Sequence, residues 1–484
     1  MESPYTDPPD VSDVPDNDTA SESSEEDQTK TFAAVMANIR LDKLLEYACT
    51  IRRELQLTKQ PGAKIEATMF GSHHILYPVK FADNTCWLFK VPATGTRDRF
   101  DHSAARSLRS EALTMSLLHR ETTIPLPEVF SFDETCDNEL NCPFILMSYI
   151  PGKPLYDCWF DKVSPKSVVE ARRTRCLSQI AIAMIQLDKF SYDQGGCIMF
   201  KDPGHPAGIG PMRLVDEQAM LQRLHVDDSD NSTIYFEAGP FPSTKDFYTA
   251  HLEHRKGSER DSIFKNGALK LLRTMIDWLP EPHDGRKPFV LAHPDFDIQN
   301  FLVSEEGELQ GIIDWDGAAA LPRSLGNEAY PGWLTRDWDP AMYAWNEDME
   351  RGIEPKGLWE DSPATLSFYR TVYADFMASY CQSNVQPGKV TRNSLISDNL
   401  AISTSSPLCM LDIVNKMFDA ISDAARRDSS IVSRAMQADL GNNDSDSLCE
   451  LSFYDVCCDL IENKLSDSHR ELLRAGFEAV LQNI

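Results

Sequence analysis

The feature that most constrains this chain is a change of pattern near residue 151, where strand-like sequence gives way to helical sequence. Upstream, AKIEATMFGSHHILYPVKFADNTCWLFKVP over 63–92 alternates short β-rich runs with turns at Gly71 and Asp83-Asn84. That pattern predicts antiparallel strands. One helix is predicted at about 103–119. EVFSF and PFILMSYI read as two more strands, the second continuous and apolar as a buried strand is. After PGKPL at 151–155, helical periodicity takes over 168–190, 215–225, 244–255, 265–279, 366–382, 408–426, 448–463 and 467–482. Only two short apolar runs interrupt it, FVLAH at 289–293 and LQGIIDW at 309–315. The expected class is α+β, with a small β-rich N-terminal lobe and a large helical C-terminal lobe.

Segment 36–56 places Ile39, Leu44, Leu45 and Ala48 at helical spacing and leads the first lobe, whose span is read as 36–150; the second is 151–484. Residues 1–35 are read as a disordered acidic tail. The first thirty carry ten acids against Lys30 alone and almost no large apolar side chains, too little to offset the entropy of ordering. The Ser/Asn/Asp-rich stretches 390–406 and 440–447 are read as surface loops.

With 47 basic and 75 acidic residues, the formal charge is −28, which argues against a nucleic-acid binder because no basic face would replace phosphate counterions. No run of about 20 apolar residues exists, so no membrane partner is expected. The N-terminus lacks the basic and apolar blocks of a signal peptide and is too acidic for a mitochondrial presequence, which predicts a cytoplasmic protein. Twelve scattered cysteines form no CxxC pair and read as reduced thiols.

Chemistry gathers in 291-LAHPDFDIQNFLV-303 and 309-LQGIIDWDGA-318. The skeleton is His293-x-Asp295-x-x-x-x-Asn300, then an apolar strand ending at Asp314, nineteen positions past Asp295. Phosphoryl transfer to an alcohol needs a carboxylate beside the hydroxyl, oxygen ligands for magnesium and cationic clamping of the phosphates. Asp295 suits the first need. Asn300 and Asp314 suit the second, since Mg2+ takes hard oxygen ligands. His293 is expected to brace the loop by hydrogen bonding.

HPDFDIQN followed by IIDWD resembles the catalytic and metal loops of the aminoglycoside phosphotransferase family, in the protein kinase-like superfamily. The run 321-LPRSLGNEAYPGWLTRDWDP-340 is similar to the fungal branch of that family. The resemblance spans about 60–345. It implies the two-lobed protein kinase-like fold, ATP and Mg2+ as cofactors, Asp295 as catalytic base, and Asn300 and Asp314 as metal ligands. Pro294 stands where the bacterial members usually have Gly, a change the fungal branch shares.

The resemblance also implies an ATP lobe upstream. Lys90, at the end of CWLFKVP, would reach the α- and β-phosphates. Glu111 falls among Leu108, Met115 and Leu118 on one helical stripe, where a lone charge is costly, and a pair with Lys90 would satisfy it. Gly71 is the single glycine where protein kinases carry GxGxxG. Backbone groups of Met147, Ser148 and Tyr149 would meet the adenine edge, with Pro151-Gly152 ending the strand. The acceptor would be a small molecule bearing a hydroxyl, entering among inserted helices around 205–255 and 330–385. Trp333, Trp338 and Trp345 are candidates for an aromatic cage around a quaternary ammonium. The alternative is an inert pseudokinase acting as an interaction module, for which the single-glycine loop speaks. Neither the acceptor nor the oligomeric state is legible in the sequence.

Overall fold

The computed structural model describes residues 30–57, 62–202, 204–225, 234–255, 262–280, 285–355, 357–381, 388–438 and 452–483. The acidic tail over 1–29 and the loop expected at 440–447 lie outside them. Two compact units emerge: the described residues through Arg109 with Val129–Tyr149, and Ser110–Glu128 with the chain from Ile150 onward.

The first unit opens with helices α1 (30–38) and α2 (Leu41–Glu54). Residues 30–35, expected in the tail, are helical instead, because Phe32 and Val35 give the segment an apolar face that the core buries. Six antiparallel strands follow: β1 (Ala63–Ile65), β2 (Met69–Phe70), β3 (His74–Phe81), β4 (Cys86–Pro92), β5 (Val129–Asp133) and β6 (Phe144–Ser148). Their order is β1-β3-β4-β6-β5, with β2 paired to β3. The β3–β4 hairpin turns through Asn84 at φ +67°, a conformation that Asn tolerates better than most residues. Trp87 stacks on Phe130 at 4.0 Å, and the Arg52 guanidinium lies 4.1 Å from the Phe81 ring centre. These aromatic contacts close the sheet's core face.

Helix α3 (His102–Glu121) begins in the first unit and continues into the second. Residues 110–128, read as part of the first lobe, therefore fall in the second unit. The later part of α3 and the segment after it are tied into the helical unit, through Ser110 Oγ to the Ile198 carbonyl (2.9 Å) and Ile312 N–H to the Pro125 carbonyl (2.8 Å).

The second unit continues with β7 (Lys153–Pro154), α4 (Leu155–Trp159), α5 (Lys166–Ile185), β8 (Ser191–Tyr192), β9 (Gly196–Asp202) and β10 (His205–Gly210). Next come β11 (Met212–Val215), α6 (Glu217–His225), β12 (Tyr235–Ala238), α7 (Thr244–His254) and α8 (Ile263–Asp277). The stretch near 205–255, expected to be helical, thus contains a β10 edge and a β11–β12 ribbon as well as helices. Strands β13 (Phe289–Ala292), β14 (Phe301–Val303), β15 (Leu309–Ile312) and β16 (Ala319–Pro322) carry the motif region. They complete a β10-β9-β16-β13-β8 sheet and a β15-β14-β7 sheet.

The chain ends in helices α9 (Glu347–Glu350), α10 (Pro363–Tyr380), α11 (Lys389–Ser405), α12 (Met410–Arg427), α13 (Ser429–Ala438), α14 (Phe453–Glu462) and α15 (Asp467–Asn483). On α12 the buried Met410, Ile413, Val414, Met417, Phe418 and Ile421 recur at helical spacing and meet α8, α14 and α15 in one core. Helix α8 passes so close to α14 that Gly267 lies against the Cys457 backbone, where a methyl group would collide.

Helix α11 corrects the reading of 390–406 as a surface loop. It buries Thr391, Asn393, Ser394, Ser397, Asn399, Ser403 and Thr404. Several of these turn back on their own helix: Ser394 Oγ to Thr391 O (2.6 Å), Asn399 Nδ2 to Leu395 O (2.8 Å) and Ser403 Oγ to Leu400 O (2.7 Å). A polar group whose donor is already spent on its own backbone can be buried at modest cost.

Candidate phosphate-transfer site

Strand β13 is buried along its whole length and delivers His293 to the end of the sheet. His293 Nε2 lies 2.8 Å from the Ile313 carbonyl, which only accepts, so Nε2 carries a proton and donates it. Burial pushes its pKa below the usual histidine value. The imidazole meets the buried Trp315 ring edge-on at 4.7 Å, and Trp315 Nε1 donates to the Ile312 carbonyl at 3.0 Å. His293 thus joins the two motif segments, through a backbone carbonyl and an aromatic face.

Beyond His293 the chain surfaces, leaving Pro294 and Asp295 exposed. Asp297 Oδ1 accepts from Ile298 N–H at 2.7 Å and opens a 3-10 turn over Ile298–Asn300. The turn returns Asn300 to Asp295: Asn300 Nδ2 donates to the Asp295 carbonyl and to Oδ2, both at 2.8 Å. Gln299 Nε2 reaches the same Oδ2 at 3.0 Å. Among the described residues the hydrogen bonds to the carboxylate fall on Oδ2, so Oδ1 is the oxygen open to an incoming proton. The Asn300 amide nitrogen is spent on Asp295, which leaves its carbonyl oxygen as the group suited to a cation.

Hairpin β14–β15 then brings the second motif back, pairing Phe301 with Ile312. Ile313 N–H donates to the Asn300 carbonyl at 2.9 Å, so the Asn300 backbone lies one residue from Asp314. Asp314 is exposed and takes φ +59°, a left-handed conformation open to few residues besides Gly, Asn and Asp. At Gly317 (φ +84°), a side chain would lie 3.6 Å from the Pro294 ring, so this turn folds onto the start of the other. His293, Asp295, Asn300 and Asp314 therefore converge within the second unit.

The remaining sequence candidates divide between the units. Lys90 is 5% exposed on β4, a central strand bonded to β3 at Leu76 and to β6 at Ile145. That removes the reading of an edge lysine with a solvated head. Glu111 is equally withdrawn, at 3% exposed on α3 in the second unit. Gly71 sits at the exposed β2–β3 hairpin, its N–H donating to the His74 carbonyl at 2.9 Å. On β6, Met147 is buried, and Tyr149 exposes its ring while its N–H donates to the Cys86 carbonyl at 3.1 Å. The Tyr149 amide, expected at an adenine edge, is thus already used by the sheet; Ser148 pairs with Trp87. Trp333 is buried and packs edge-on against Trp159 and Phe301, as a core residue does.

Sequence reasoning did not single out Asp297, Gln299 and Arg336. Asp297 and Gln299 stood inside the quoted motif. Arg336, whose Nη2 donates to Asp297 Oδ2 at 2.6 Å, lies 39 positions away and left no local signal. Among the described residues no cluster of three or more His, Cys, Asp or Glu side chains could hold a metal alone, and every described cysteine is a free thiol. No described helix is long and apolar enough to cross a membrane.

Comparison with known proteins gives one family. A family model described as "Phosphotransferase enzyme family" matches residues 82–324. Among curated proteins, "Altered inheritance of mitochondria protein 9, mitochondrial" of Saccharomyces cerevisiae is 21% identical over 342 residues, covering 60% of this chain and 53% of its own length. The protein of that name from Clavispora lusitaniae is 26% identical over 314 residues, covering 64% and 48%. The chain spans about half the length of the curated relatives it matches. Among solved structures, a thermostable mutant of aminoglycoside phosphotransferase APH(4)-Ia, with AMP-PNP and hygromycin B, is similar with a TM-score of 0.37 and 13% identity. That match covers 86% of this chain and 97% of the other.

Proposed function

Since the chain belongs to the phosphotransferase enzyme family, we propose that it moves the γ-phosphoryl group of ATP onto a hydroxyl of a small molecule. One observation carries this reading: the Asn300 side chain holds Asp295 while its backbone carbonyl accepts from Ile313, beside Asp314. In the proposed reaction the acceptor oxygen bonds to the γ-phosphorus and the bond to the β-phosphate oxygen breaks, releasing ADP. The acceptor's proton passes to Asp295 Oδ1, and positioning supplies much of the rate.

The oxygen donors fit a magnesium ion. Asn300 Oδ1 and the exposed Asp314 carboxylate are hard ligands, and Mg2+ takes only one or two such protein groups with phosphate oxygens and water. Bound there, the ion would neutralise charge on the phosphates. Lys90, buried on β4, is the residue this reading assigns to the phosphates. Its expected pairing with Glu111 is a question for a double-mutant cycle, where coupling of about 0.5–3 kcal/mol between Lys90→Met and Glu111→Gln supports it and strict additivity removes it.

Screening small alcohols for ADP release with Mg-ATP tests the proposal. Turnover that disappears in Asp295→Asn supports it; no melting shift with millimolar Mg-ATP and no ADP release with any acceptor would favour the inert interaction module. The cytosol is the proposed compartment. The curated relatives carry "mitochondrial" in their names, so fractionation of the full-length protein decides between the two.

A further inference from the structure

The segment after β16 lies against the 293–300 loop. Gly332 N–H donates to the Phe296 carbonyl at 2.7 Å, and a side chain at Gly332 would sit 3.4 Å from the Asp297 carboxyl carbon. Four residues on, Arg336 spans two acids. Its Nη2 donates to Asp297 Oδ2 at 2.6 Å and its Nη1 to Glu360 Oε1 at 3.2 Å. Asp297's other oxygen caps the Ile298–Asn300 turn, and that turn ends on the amide that grips Asp295. The guanidinium is thus connected to Asp295 through one capped turn.

We infer that Arg336 is a positioning residue: through Asp297 it fixes the orientation of the Ile298–Asn300 turn, and with it the place of Asn300 and the Asp295 carboxylate. The inference rests on the phosphotransferase reading of that loop. An exposed ion pair would contribute little and hold no geometry. Here Glu360 is 7% exposed and Asp297 19%, and a planar guanidinium bound at two corners has one orientation. Neighbouring acids explain the spacing further. Thr335 Oγ1 donates to Asp398 Oδ2 at 3.0 Å, so the residue before Arg336 is anchored on α11. The segment therefore has fixed points at Gly332, Thr335 and Arg336.

The test uses the full-length protein with Mg-ATP and reads ADP release, melting temperature and amide exchange. Arg336→Gln should lower kcat per folded molecule about 10- to 100-fold, the scale of a misplaced reacting group, with KM for ATP near wild type and a lowered melting temperature from the acids it leaves without their cation. Arg336→Lys should recover part of kcat. Asp297→Asn should match Arg336→Gln, and the double variant should be no worse than either, because the two act as one unit. Exchange at the Asn300 amide, bonded to the Asp297 carbonyl at 3.0 Å, should quicken in Arg336→Gln. Wild-type kcat per folded molecule, or unchanged exchange at Asn300, overturns the inference. A wild type that never releases ADP while Asn300 exchange quickens as expected upholds the brace and removes the phosphotransferase reading instead.

Discussion

The two acid-bearing turns are held by different means. Around Asp295 the holding groups are side chains: Asn300 and Gln299 from within, Asp297 as cap and Arg336 from outside. Around Asp314 they are backbone and packing: Ile313 N–H on the Asn300 carbonyl, His293 on the Ile313 carbonyl, the Trp315 indole on the Ile312 carbonyl, and a left-handed backbone. A turn made of side chains yields to single substitutions that leave the fold intact. A turn made of backbone admits only residues that accept its φ. The same chemical change should therefore have different consequences in the two places.

The largest expected effect is at Asp295. Asp295→Asn keeps the shape and the oxygen that Asn300 grips, so melting temperature should stay near wild type while turnover falls on the order of 10²–10⁴-fold. Parallel calorimetry and ADP release measure both, and equal turnover would erase the contrast between the turns. Next comes Asp314. Asn tolerates the left-handed backbone, so Asp314→Asn should fold normally and weaken Mg-dependent ATP binding by roughly tenfold or more, judged from the loss seen for groups supporting a metal ligand. Asp314→Val should in addition lower stability by about 1–2 kcal/mol, from the clash that a β-branched residue meets at that φ. Equal melting of the Asn and Val variants would show that the backbone does not hold this turn. Smaller again is Trp315→Phe, which removes the indole donor to Ile312 and should cost about 1 kcal/mol in denaturant unfolding.

The smallest effect is a pH slope of opposite sign on the two sides. Burial lowers the His293 pKa in the folded protein, so below about pH 6.5 the unfolded chain takes up a proton more readily than the folded one. Its contribution is present above that pH and lost on acidification. Burial pushes Asp398 up to about 6 in the folded protein. Its contribution is present below about 3.9, the ordinary value for Asp, and lost as pH rises through about 6. Melting scans from pH 7 to 5 should show a shallower loss in His293→Asn than in wild type and a steeper one in Asp398→Asn. Parallel slopes in all three would refute the division.

The motif region was legible because its information is local. His293, Asp295 and Asn300 are fixed by spacing within eight residues, and the strands around them announce themselves as apolar runs. Helix α12 was equally plain, since its buried side chains are apolar and recur at helical spacing. Three elements were not legible, each for its own reason. Helix α1 has only Phe32 and Val35 to mark it after an acidic stretch. The β10 edge contains Gly and Pro, and the β11–β12 ribbon has only four residues in each strand, so neither period could establish itself. Arg336 acts on a residue 39 positions upstream, and single-sequence periodicity carries no information at that range.

Helix α11 shows how far a letter in the sequence can stand from the role it plays. Once Ser403 has spent its hydroxyl on the Leu400 carbonyl, what it offers its neighbours is chiefly a small volume. Drift at that position is therefore governed by size: alanine is a near relative of serine there, while leucine is foreign, although both are apolar. Ser394 obeys a stricter rule, because its oxygen also accepts the Tyr330 N–H at 2.9 Å, and an alanine would strand that amide in the interior. Two serines nine residues apart on one helix thus belong to different substitution classes. A comparison of descendants of this chain would find one exchanging freely among small residues and the other nearly fixed.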